Sequence, residues 1–161
     1  MAQALGGATY AIAGGAAVVM LGSERETGDI DIAIPRDATT DTKRALLAGS
    51  AQFSLVQPQR AMWYTSTSGE YRLPVEVVAP GLIDFEFDDA TPVKIVDGVK
   101  VVHPAIILNT KCKLRRGAKD DLDISFLVRW LLGNGEPVTV DQIPNCVGVR
   151  AAIPLIGAAG Q

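Results

Sequence analysis

The chain has 161 residues, 48% of them hydrophobic and 20% charged, with a formal net charge of -3. That balance suits a single globular domain over 1–161 and excludes a disordered chain. The charge excludes a general attraction to nucleic acid, so any basic surface must be local, and no apolar run reaches the ~20 residues that a bilayer span needs.

The elements follow in chain order. Residues 8–13 (ATYAIA) predict a short buried strand running into Gly14-Gly15, with a short helix over 16–22 closed by Gly22. The polar stretch SERETG leads into a strand over 29–34, which Pro35 ends. Asp37 to Thr42 offer N-caps for a helix through about Ala48. Extended segments follow near 53–56 and 61–66, and TSTSGE (65–70) reads as a hairpin turn. YRLPVEVVAP is a strand in which Pro74 argues for an edge or an early position. VKIV (93–96) and VKVV (99–102) flank Asp97-Gly98, a strong hairpin signal.

After His103-Pro104 the period becomes helical, with helices over 105–116 and 120–132, a break at Gly117 and a stop at Gly133-Asn134-Gly135. The tail over 137–161 is apolar, rich in Gly and Pro, and receives no assignment. Strands before helices in mixed order predict an α/β or α+β domain around a small mixed sheet. The N-terminus lacks the basic region of a secretory signal, which predicts a cytoplasmic protein. Cys112 and Cys146 form no CxxC pair or disulfide framework, and are expected to be reduced packing residues.

GDIDIAIP (28–35) carries the chemistry. In a strand, alternate side chains share a face, so Asp29 and Asp31 face one way and Ile30, Ile32 and Ile34 the other. Two carboxylates side by side repel unless a cation or a proton sits between them. A divalent-metal site needs that arrangement; a solvated open sheet face is the alternative. Glu76, between Val75 and Val77, supplies a third carboxylate on another strand, where partial desolvation is expected. It serves either as metal ligand and base or as a structural partner of Arg72 or Arg60. Such a trio suits two-metal phosphoryl transfer with magnesium.

Gly14 and Gly15 let backbone N–H groups approach an anion closely. In KCKLRRGAKDDLD, Lys111, Arg115 and Lys119 recur every four residues, either a stripe able to hold a triphosphate, if Gly117 leaves the helix intact, or an ordinary solvated helix face. Asp120 and Asp123 read as residues that cap or pair within the helix rather than bind metal, His103 as a structural or capping residue rather than a catalytic one, and Trp63 and Tyr64 as core or hairpin packing rather than a base-stacking platform.

Taken together, Ala13-Gly14-Gly15, Asp29-Ile30-Asp31-Ile32 and the later Glu76 resemble the signature of the DNA polymerase beta-like nucleotidyltransferase superfamily. The R-x-T-x-D-I-D-I run and the K…R…KDxxD segment look most like its small members, the type IV toxin–antitoxin and antibiotic nucleotidyltransferases. The resemblance covers about residues 8–130. It implies a palm-like fold, Mg2+, and a nucleoside triphosphate as substrate. It also implies metal binding and catalysis by Asp29, Asp31 and Glu76, and phosphate contacts from Gly14, Gly15, Ser23 and Arg25. Most of the family carries Asp where this chain has Glu76, although some antibiotic-modifying relatives use Glu there as general base. Two readings follow: transfer of a nucleoside monophosphate to an acceptor hydroxyl of a small molecule, RNA or protein with release of pyrophosphate, nucleic acid entering only as an acceptor, or the same fold without transfer, as a binding or regulatory module or as host to unrelated chemistry in the same cleft.

Overall fold

The computed structural model describes residues 5, 7–56, 61–80 and 85–152. The chain divides into two compact units, Met1–Val102 and His103–Gln161, a boundary that the single-domain reading does not mark.

The first unit is a seven-stranded sheet. Its strands are β1 (Ala11–Ala13), β2 (Ile30–Ala33), β3 (Phe53–Val56), β4 (Ala61–Thr65), β5 (Arg72–Val78), β6 (Val93–Val96) and β7 (Val99–Val102). Their order is β3-β4-β5-β2-β1-β7-β6. The pairs β1/β7 and β2/β5 are parallel and the other four antiparallel, which makes the sheet mixed, as expected. α1 (Gly14–Met20) leaves β1 directly, and α2 (Thr39–Gly49) links β2 to β3.

Alternation sorts the strand residues onto two faces. Ile12, Ile32, Phe53, Met62, Val75, Val77 and Val101 lie on one face and are all buried. α2 lies over this face, because Thr40, Lys43, Arg44 and Leu47 line a groove with Leu55 of β3. Thr42 and Leu46 of α2 are buried.

Pro74 sits in a central strand rather than at the sheet edge. It is tolerated because the β2 ladder begins one residue later, at Ile30↔Val75, so no β2 hydrogen bond needs its missing N–H. It is thus early in the strand, as read. The β6–β7 hairpin turns through Asp97 and Gly98 with φ of 49° and 78°, the pair of positive values that a two-residue hairpin requires.

The second unit holds α3 (Pro104–Leu114) and α4 (Ala118–Gly133), followed by 3-10 turns at Pro144–Cys146 and Arg150–Ala152. His103 caps α3 as expected: its Nδ1 accepts from Ala105 N–H at 3.2 Å, while Nε2 stands 3.0 Å from Glu136 Oε2. The cysteines differ from the sequence reading. Cys112 of α3 and Cys146 are disulfide-bonded, with Cα atoms 5.1 Å apart. Their sequence separation of 34 does not keep them apart in space, because the turn at Pro144–Cys146 packs on α3. Residues 153–161 of the unassigned tail lie outside the described residues, as does Arg60.

Candidate active site

The site forms on the other face of the sheet, where β1, β2 and β5 run side by side. Asp31 is the register partner of Ala13 on β1 and of Glu76 on β5. The carboxylates of Asp31 and Glu76 therefore leave the sheet from adjacent positions on one face. Asp31 is half-buried and Glu76 exposed. The desolvation expected of Glu76 does not arise, since alternation points it away from buried Val75 and Val77. Asp29 is not a strand residue: β2 starts at Ile30, and Asp29 is exposed just ahead of it.

The glycine pair closes against these groups. Gly14 has a φ of 58°, a conformation that side-chain-bearing residues adopt at a cost. A side-chain carbon there would collide with Asp31 Oδ2, and one on Gly15 with the Arg25 guanidinium. The same carbon on Gly15 would stand 3.1 Å from Thr27 Oγ1. The glycines are thus required by the approach of Asp31 and Arg25 as well as by the turn. Arg25 also donates from Nη1 to Glu26 O at 2.7 Å. Ser23 is half-buried, and its backbone N–H donates to Val18 O at the end of α1.

Thr27, the threonine of R-x-T-x-D, has a role that the sequence pattern does not assign. Its Oγ1 donates to Asp29 O at 3.0 Å and lies 3.4 Å from Asp29 Oδ1. It ties the Asp29 segment to the glycine turn. Its place in R-x-T-x-D is the signal that marks it.

The donor set of Asp29, Asp31 and Glu76 is all carboxylate oxygen, which suits a hard divalent cation such as magnesium, and the register of Asp31 with Glu76 fits two ligands on one side of it. As placed, however, no group of three or more His, Cys, Asp or Glu side chains among the described residues converges as a metal cluster.

The cationic stripe is not formed. α3 ends at Leu114 and α4 starts at Ala118, so Lys111, Arg115 and Lys119 are not on one helix. Lys111 Nζ instead lies 2.7 Å from Asp120 Oδ1 and 2.9 Å from Asp123 Oδ2, all three side chains being at most 13% exposed. Asp120 Oδ2 also accepts from Arg116 N–H at 2.8 Å. Burial raises the Asp120 pKa, but the Lys111 hydrogen bond, the Arg116 backbone bond and both cations outweigh it and hold it below the usual value. Arg115 bonds Asp121 at 2.5 Å, and that bond and charge raise its guanidinium pKa further. Lys119 is exposed. Asp120 caps the start of α4 through the Arg116 N–H, but both aspartates pair with Lys111 of α3 rather than within their own helix, and it is their charge that occupies Lys111.

Arg72 does not pair with Glu76. Its guanidinium carbon lies over the Trp63 ring, 4.8 Å from the centroid. Tyr64 packs on Phe53 with ring centroids 5.4 Å apart, on the buried face, as read.

Among solved structures, the chain is similar to an antigenic nucleotidyltransferase-like protein from Paracoccidioides brasiliensis. The identity is 24% and the TM-score 0.64, over 92% of this chain and 84% of that one. It is also similar to JHP933 from Helicobacter pylori, at 14% identity and a TM-score of 0.57, over 97% of this chain and 72% of that one. No protein-family model matches the sequence, and no curated protein matches it significantly. The mixed sheet and its helices have the nucleotidyltransferase-like fold. None of the described helices is long and apolar enough to cross a membrane.

Proposed function

We propose that the protein is a magnesium-dependent nucleotidyltransferase, moving a nucleoside monophosphate from a nucleoside triphosphate to an acceptor hydroxyl with release of pyrophosphate. The observation that carries the reading is the closure of Gly14 on Asp31, with Asp31 in register with Glu76. It joins an anion-accepting glycine turn to two carboxylates on adjacent strands.

Each residue has a task in this reading. The backbone of Gly14 and Gly15 lets the phosphates approach where a side chain would block them. Arg25, beside Gly15, neutralises phosphate charge, and Ser23 lines the same turn. Asp29, Asp31 and Glu76 hold the metal, Asp29 turning inward from its exposed position. Magnesium, when bound, neutralises the charge that develops on the transferring phosphoryl group. Glu76, exposed to the acceptor side, takes the proton of the attacking hydroxyl. Lys111 and Arg115, engaged by aspartates, are left out of the phosphate site. A cytoplasmic place of work goes with a triphosphate substrate, whereas the Cys112–Cys146 bond is commoner in oxidising compartments.

The test is transfer from labelled ATP, CTP, GTP and UTP to small-molecule, RNA and protein acceptors, run beside thermal unfolding with each Mg-triphosphate. A ligand at ~100 times its Kd adds about 2.7 kcal/mol of stability. Transfer that disappears in Asp31→Asn supports the reading. Absence of any stabilisation by any triphosphate overturns it. The second reading, the same fold without transfer, as a binding or regulatory module or as host to unrelated chemistry in the same cleft, is motivated by Glu76 at the position where most of the resembling family carries Asp. It predicts no labelled product, and no stabilisation by any triphosphate favours it.

A further inference from the structure

The first unit offers a further surface beside the carboxylates. On the face that carries Asp31 and Glu76, β5 also presents Arg72 and Pro74, and β4 presents Trp63 as the register partner of Pro74. Trp63 is half-buried, and Arg72 is exposed with its guanidinium over the Trp63 ring at 4.8 Å. The result is a flat cationic plate backed by an indole. Strand geometry puts Trp63 about 8 Å from Glu76 between Cα atoms, two residues along and one strand over. That is the span of one nucleoside.

The chemistry of the reaction says which side the acceptor must use. In-line displacement puts the attacking and leaving oxygens on opposite sides of phosphorus. Across the sheet the order is glycine turn on β1, Asp31 on β2, Glu76 on β5, then Trp63 on β4. With the pyrophosphate end at Gly14 and Gly15, the acceptor approaches from the β5–β4 side.

We propose that the Trp63–Arg72 plate seats the flat base of the acceptor, a free nucleoside or mononucleotide, so that its ribose hydroxyl reaches Glu76. This rests on the nucleotidyltransferase reading and narrows its acceptor. Bases stack on indole and on guanidinium planes alike. The hydroxyl oxygen bonds to the α-phosphorus as the bond to the bridging oxygen breaks. Pyrophosphate leaves with that electron pair, and the hydroxyl proton passes to the Glu76 carboxylate. A polynucleotide is disfavoured because Arg72 is the only cation that β3, β4 and β5 place on this face among the described residues, and polymer binding draws on several phosphate contacts.

The test uses the full chain with Trp130→Phe, so that emission reports Trp63. Adenosine, which lacks phosphates, should quench that emission without magnesium, and saturating Mg-bound non-hydrolysable ATP should leave the quenching intact. In transfer assays, adenosine and AMP should be better acceptors than an amino sugar. Arg72→Ala should raise the acceptor KM about tenfold, within the range that base stacking supplies, while the stabilisation by Mg-ATP is unchanged. Arg72→Lys, which keeps the charge and loses the plane, should behave like Arg72→Ala. Arg72 is exposed, so these variants read binding without disturbing the fold.

Three results overturn the proposal: no quenching by adenosine, full rescue by Arg72→Lys, or preference for the amino sugar or for single-stranded RNA. Loss of Mg-triphosphate binding in the unsubstituted chain is a different failure. It removes the nucleotidyltransferase reading, and the quenching experiment still reports on the plate.

Discussion

Asp31 and Glu76 stand directly opposite one another in a parallel strand pair, although they lie far apart in sequence. The chain brings them together by sending α2 and the β3–β4 hairpin away from β2 and returning with β5 beside it. Two carboxylates at one register position cost electrostatic energy that a cation relieves. Packing does not ask for them, since Asp31 is half-buried and Glu76 exposed while the buried positions of the two strands are apolar.

Glu76 tests that relationship most sharply. Glu76→Gln keeps the shape and removes the charge, and should abolish transfer while Mg-ATP still stabilises the protein. Glu76→Asp restores the commoner residue of the resembling family but withdraws the carboxylate by one methylene, and a displacement of ~1 Å can cost about 100-fold in rate. A partly active Asp variant and an inactive Gln variant are expected in single-turnover assays. Near-normal rates in both would make Glu76 a surface residue only.

Gly14→Ala should destabilise the fold on two separate grounds. The φ of 58° costs an alanine about 1–2 kcal/mol, and its methyl carbon collides with Asp31. In an Asp31→Ala background the collision disappears and the backbone cost stays, so the penalty of Gly14→Ala should shrink without vanishing. Denaturant midpoints for the four proteins of this cycle measure the coupling. Simple additivity would mean that the two residues do not meet.

Alternation and turn chemistry were enough to read most strands, including β5 and the β6–β7 hairpin around Asp97-Gly98. They do not give strand order, because the parallel pairs β1/β7 and β2/β5 are made by long crossovers that leave no local mark. The glycine pair and Asp31 were legible because steric and charge demands sit on single residues. Asp29 was placed in the strand because its alternation with Asp31 continues, yet pairing starts only at Ile30. The lysine stripe misled for a related reason. Spacing by four says where side chains point on an unbroken helix, but not which carboxylates a second helix brings to them. The cysteines carry no local signal of pairing at all.

The Cys112–Cys146 bond closes a loop of 34 residues in the second unit. Chain-entropy arguments give a crosslink of that span about 3–4 kcal/mol. Reduction, or Cys112→Ala with Cys146→Ala, should therefore lower the melting temperature. Both thiols should resist alkylation in the native protein until a reductant is added. Ready alkylation without reductant would return the pair to the reduced state that the sequence suggests. Protein isolated from a reducing cytoplasm should be compared with protein oxidised in vitro, which reports whether the bond and a cytoplasmic place of work coexist.

Lys111 is the residue on which sequence and structure part most clearly, and its substitution tells the two accounts apart. In a phosphate stripe, Lys111→Ala would weaken triphosphate binding and spare stability. Here its ammonium lies between Asp120 and Asp123, whose side chains are 7% and 0% exposed. Removing one partner of a buried ion pair leaves uncompensated charge and costs about 3–5 kcal/mol. Lys111→Ala should therefore show a large fall in unfolding free energy, and Lys111→Met with Asp120→Asn and Asp123→Asn should recover part of it. Acid provides an independent check. Asp120 has a folded pKa below its ordinary value, so its contribution is fully present above the ordinary carboxylate range and is lost as pH falls through the folded value. Stability of the unsubstituted chain should drop on acidification below about pH 4, and more steeply than that of Asp120→Asn. Parallel acid limbs for the two proteins, together with a raised KM for triphosphate in Lys111→Ala at unchanged stability, would restore the stripe.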